Sequence, residues 1–209
     1  MKTLLFVVFI SFFTYLNASN IRLIDENYSK QMQGITYQKE CPVSLDDLRI
    51  VNVKYLGFDD NEHFGDIVVH KDIALEVSKI FEELFAISYP IRKIFPIEKY
   101  NGDDFESIED DNTSAFNCRL AEGSKKYSKH SYGKAIDINP LENPYVYKNG
   151  TTSHKNSVKY LTRISSLQSA ENKAVLIPSS QAVQIFKKYG WKWGGDWKNI
   201  KDYQHFQKQ

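Results

Sequence analysis

Cysteine is nearly absent from this chain of 209 residues, which has only Cys41 and Cys118. Their separation fits no ligand spacing of a structural metal centre, which argues against a cysteine-rich zinc module. Charge of one sign is also scarce. The 27 Lys and Arg residues face 26 Asp and Glu, a formal net charge of +1, and no long block of either sign occurs. Binding to nucleic acid through a basic patch is therefore not indicated. Proline is sparse at 6 residues, and the chain has no Pro-rich linker, internal repeat or low-complexity tract. The one long apolar run, Leu4 to Leu16, is shorter than the roughly 20 residues that span a bilayer.

That run has the anatomy of an export signal. Lys2 supplies the positive start, and Asn17-Ala18-Ser19 offers a small residue for cleavage after Ala18. Leu16 suits the position three before that cut poorly, so an uncleaved anchor is the alternative. No cysteine follows the run, which argues against a lipoprotein. The expectation is an exported protein, periplasmic or extracellular and associated with the cell wall, with no stable membrane span once the signal is removed. In an oxidising compartment Cys41 and Cys118 would form one disulfide; the other reading is two buried thiols acting as small apolar residues.

Hydrophobic residues at 42% and aromatics at 14% specify a folded globular chain, and its length suits one domain with a sizeable core. Residues 1–18 read as signal, 19–40 as a polar N-terminal arm, and 41–209 as a single α+β domain. Ile50 to Tyr55 and Asp66 to His70 read as strands joined by a turn-rich loop from Gly57 to Gly65. Ile73, Val77, Ile80, Phe81 and Leu84 recur at helical spacing within Lys71–Ile87. A second helix is expected over Ser180–Tyr189, closed by Gly190. The acidic stretch Glu106–Asp111 reads as a solvated loop.

Chemistry concentrates in Ser128-Lys-His-Ser-Tyr-Gly-Lys-Ala-Ile-Asp137 and in Asp202-Tyr-Gln-His205. Two imidazoles and one carboxylate are the protein ligands of a catalytic zinc that keeps a position open for water. The spare carboxylate, Asp202, is then placed to take a proton from that water, as in metal-assisted hydrolysis. Lys134–Ile138 reads as a strand with Ala135 and Asp137 on one face. Gly133 provides the turn after His130. Asp202 and His205 would share a face on a helical turn, whereas an extended segment would point them apart.

Four segments extend these motifs: Asn112-Thr-Ser-Ala-Phe-Asn-Cys-Arg119, Glu142-Asn-Pro-Tyr145, Trp193-Gly-Gly-Asp-Trp197 and Asp202-Tyr-Gln-His-Phe206. With the Ser-x-His-(x6)-Asp and Asp-x-x-His motifs, the chain from about Cys41 to its C-terminus resembles the VanY-type D-alanyl-D-alanine carboxypeptidases, a family that includes L-alanyl-D-glutamate peptidases. The resemblance implies zinc ligands at His130, Asp137 and His205, a general base at Asp202, and an oxyanion contact at Arg119. It implies a small central antiparallel sheet flanked by helices, with zinc held on the sheet, as in hedgehog domains and D-Ala-D-Ala peptidases. The substrate implied is a peptidoglycan stem peptide, cut as a carboxypeptidase or as an endopeptidase. The alternative is a non-catalytic zinc module that binds wall peptides or a protein partner; the presence of Asp202 and Arg119 argues against it. His63, His70 and His154 read as surface or hydrogen-bonded structural residues. Trp191, Trp193 and Trp197 read either as core or as a wall of the substrate groove.

Overall fold

The structure, a computed structural model, describes residues 20–164, 166 and 168–209; the expected signal segment lies outside them. The described chain runs β1 (Ile21–Leu23), α1 (Glu26–Met32), β2 (Leu48–Leu56), β3 (Glu62–His70), α2 (Ala74–Ala86), β4 (Lys93–Ile94), α3 (Asp104–Glu109) and β5 (Asn112–Thr113). It continues with β6 (Ala135–Asp137), β7 (Tyr145–Val146), α4 (Ala170–Ala174), α5 (Gln181–Lys188), β8 (Lys192–Trp193), β9 (Lys201–Asp202) and β10 (His205–Gln207).

The strands form small sheets, in keeping with the expected α+β class. β1-β2-β3 and β6-β10-β8 are antiparallel sheets of three strands; β7 pairs antiparallel with β9, and β4 pairs parallel with β5. The β2–β3 hairpin is longer than its sequence pattern suggests. It pairs continuously from Leu48↔His70 to Leu56↔Glu62, so the turn shrinks to residues 57–61, closed by Gly57 N–H donating to Asn61 O at 2.8 Å. Residues 62–65 carry no apolar alternation that would mark them as strand; cross-strand hydrogen bonding extends the ladder through them.

Period-two alternation splits β2 between two cores. Val51, Val53 and Tyr55 face one, with Ile67 and Val69 of β3, while Leu48 and Ile50 face the other with Val68. The first core continues through Val77, Ile80, Phe81 and Leu84 of α2, then Val183 and Phe186 of α5, to Ile136 and Phe206. α2 and α5 thus join the two larger sheets, and the Phe186 ring stacks on Phe206 at 3.9 Å. Burying one such side chain contributes about 1.5–3 kcal/mol. The second core takes Met32 of α1, which is fully buried. The polar arm therefore contributes a strand paired to β2 and a helix covering its outer face.

The stretch expected to be a solvated acidic loop is partly a helix. Asp103 caps α3 by accepting from Phe105 N and Glu106 N. Behind the helix, Asp111 is buried beneath Arg92, whose Nε lies 3.4 Å from Asp111 Oδ2. The cysteines are joined, with Cα atoms 5.9 Å apart across a separation of 77 residues. Among the described residues no helix is long and apolar enough to cross a membrane.

Candidate metal centre

β10 alternates between two environments. Phe206 points into the core, while His205 and Gln207 lie on the opposite face. On the neighbouring strand Ile136 enters the same core and Ala135 and Asp137 share the other face, so the register sets His205 directly across from Asp137. His130 arrives from a 3-10 turn, Lys129–Tyr132, capped by Ser128 accepting from His130 N and ended by Gly133 at φ 62°. A side chain at Gly133 is excluded twice, since a Cβ there would sit 2.6 Å from His70 N.

The three side chains converge. His205 Nδ1 lies 2.9 Å from Asp137 Oδ1, His130 Nε2 lies 3.2 Å from Asp137 Oδ2, and the two facing ring nitrogens are 3.2 Å apart. Their far sides are anchored to oxygen. His130 Nδ1–H donates to Ala115 O, and His205 Nε2–H donates to Gln207 Oε1 at 3.1 Å. Each anchor fixes a tautomer whose remaining lone pair points inward, as metal-bound imidazoles require. Two lone pairs and a carboxylate aimed at one point repel unless a cation or a proton lies between them. The donor set thus fits a divalent metal, and His130, Asp137 and His205 form a group able to hold one. Gln207 was not singled out from sequence, although position i+2 on a strand shares the face of His205.

Electrostatics show the same demand for positive charge. Burial pushes Asp137 up, but the His130 and His205 rings outweigh it and hold the carboxyl well below its usual range. Burial opposes charge on His205, yet Asp137 and Asp202 raise it to about 9. Burial, aided by the Asp137 charge, raises Asp202 to about 6 against the opposing pull of His205.

Asp202 and His205 do not share a helical turn. Asp202 ends β9, His205 opens β10, and residues 203–204 bend between them. The bend brings both side chains to one cavity, so helical spacing is not needed. Gly194 makes the placement possible: a Cβ there would lie 2.4 Å from Asp202 O. Asp202 Oδ1 is buried without a hydrogen-bond partner among the described residues.

A cavity of about 680 Å³ is lined by all five residues singled out by sequence, His130, Asp137, His205, Asp202 and Arg119. Arg119 does not stand free. Its Nε pairs with Asp104 of α3, and its backbone N–H donates to Ser131 Oγ at 2.9 Å. Of the tryptophans, Trp191 and Trp193 are core, while Trp197 lines the cavity with its ring 5.5 Å from that of His205. His63 pairs with Asp59, and His70 accepts from Asp72 N, both away from this cavity. His154 lines it, which its sequence surroundings did not reveal. A larger cavity of about 960 Å³, over Arg92, Glu142 and Tyr160, contains none of the five.

Residues 122–208 match the D-alanyl-D-alanine carboxypeptidase family model. The match supports the VanY-type family that the sequence resembles, and with it peptidase activity. No curated protein and no solved structure matches the chain. The carboxypeptidase match takes in His130, Asp137, Asp202, His205 and Gln207, but Arg119, α3 and both cysteines lie before it.

Proposed function

We propose that this protein is an exported zinc peptidase that hydrolyses a peptide bond in peptidoglycan stem peptides. The observation that carries the proposal is the convergence of His130, Asp137 and His205 beside a buried carboxylate, within the segment that matches the carboxypeptidase family. His130, Asp137 and His205 would hold the ion. A bound zinc supplies Lewis acidity, bringing the pKa of a water it holds from 15.7 towards about 7.

The remaining work falls to the chain's own groups. Asp202, a buried carboxyl beside the three converging residues, is placed to accept a proton from the attacking water. It then delivers that proton to the leaving amine. Asp202 Oδ1 has no competing partner among the described residues, so it is available for that exchange. Arg119 meets the carbonyl oxygen as negative charge develops on it. Its Nε is ion-paired with Asp104, and the residue lines the cavity where substrate would lie. A donor fixed in this way contributes about 3 kcal/mol to the transition state. Trp197 and the paired rings of Tyr145 and Tyr147, 5.1 Å apart, wall the cavity and limit water around the scissile bond.

The test is mass spectrometry of defined tri-, tetra- and pentapeptide muropeptides after incubation with zinc-loaded protein. Loss of a terminal D-alanine identifies a carboxypeptidase, and cleavage between L-alanine and D-glutamate an endopeptidase. Intact peptides in every case would overturn the proposal.

A further inference from the structure

His154 belongs to the wall of the metal cavity although it lies outside the ligand set. It is buried, its ring stacks on Phe105 at 4.6 Å, and its Nδ1 contacts Glu109 Oε1. Both partners come from α3, the helix whose Asp104 also holds Arg119. A carboxylate can only accept, so Nδ1 carries the hydrogen and Nε2 of the neutral ring carries the lone pair. Nε2 has no hydrogen-bond partner among the described residues and is not sealed from solvent, and the residue lines the cavity. A ring packed on one face and tethered at one nitrogen presents its other nitrogen in a fixed orientation.

We infer that His154, fixed by Glu109, is a substrate-positioning residue of the metal cavity whose Nε2 accepts an N–H from the bound peptide. This rests on the peptidase reading only for the identity of the ligand. The N–H has two sources, a backbone amide or a side-chain ammonium, and the test separates them.

Two probes are used: an alanyl-γ-D-glutamyl-lysine tripeptide and the same peptide with norleucine in place of lysine. Binding is measured by calorimetry on full-length, zinc-loaded Asp202→Asn protein, with and without His154→Phe. Phenylalanine keeps the stack on Phe105 and removes both nitrogens. The dissociation constant should rise about three- to tenfold for a neutral N–H, and about tenfold or more for an ammonium. A rise with both probes assigns the backbone amide; a rise with the lysine probe alone assigns the ammonium. Unchanged binding of both would overturn the inference. In the otherwise wild-type enzyme, His154→Phe should raise KM and leave kcat within about twofold, a split that a loss of folded protein does not produce. If His154→Phe fails to fold, Glu109→Gln, which keeps the ring but weakens its tether, must also raise the dissociation constant; no change would overturn the inference. A wild-type protein that cleaves no muropeptide would sink the peptidase reading and leave these binding results standing.

Discussion

Asp137 and His205 face each other across the antiparallel register of β6 and β10, with Oδ1 and Nδ1 2.9 Å apart. Backbone pairing therefore sets the separation of two candidate metal ligands, and a one-residue slip would turn either of them into the core. His130 is the member placed by a turn.

Metal content should depend on all three. His130→Ala and His205→Ala proteins should each lose stoichiometric zinc in elemental analysis while keeping the secondary structure of the parent. Full occupancy in both would remove the assignment.

Asp202→Asn should keep zinc and lose turnover. Acid–base catalysis contributes about 10²–10⁴-fold, and a loss of that order is expected in steady-state assays of zinc-matched protein. Near-normal turnover would move the base elsewhere.

Arg119→Lys should lower kcat substantially with melting temperature and zinc content intact, because lysine keeps the charge but loses the fork that pairs with Asp104 and, in the proposed reaction, would also meet substrate. Asp104→Asn should lower kcat less. A fall in melting temperature with activity per folded molecule preserved would make the Arg119–Asp104 pair structural.

The Cys41–Cys118 bond closes a long loop. Replacing both cysteines by serine should cost about 2–4 kcal/mol in denaturant unfolding. Unchanged stability would show that the segments are held by packing alone.

Glu142 gives a pH signature of stability. Burial and the neighbouring Asp111 push it up to about 9, with a bond from Tyr160 OH opposing the shift. Between the ordinary glutamate range and about 9 the folded chain keeps a proton that the unfolded chain has released, so rising pH destabilises the fold through that window. Thermal melts of wild type should fall relative to Glu142→Gln as pH rises from about 5 to 9. Parallel profiles would show that Glu142 ionises normally.

The elements legible in the sequence are those whose signal is local. Ile73 to Leu84 mark α2 by their period, Ser180 and Gly190 bracket α5, and Ala135 to Asp137 form the expected strand. The convergence of His130, Asp137 and His205 was legible because their chemical types are rare in combination. Contacts between distant segments were not. Glu109 and His154 lie 45 residues apart, and α3, at 6 residues, is too short to show a period. The Asp202–His205 spacing suggested a helix, but pairing of β9 with β7 and of β10 with β6 decided the local conformation.

Asp104 and Glu109 hold opposite duties on one short helix, the first gripping Arg119 and the second His154. Each residue added between them would rotate one about 100° relative to the other. Insertions within α3 should therefore be far less tolerated than insertions just outside it, and the length of this helix acts as a gauge that keeps the two walls of the cavity in step.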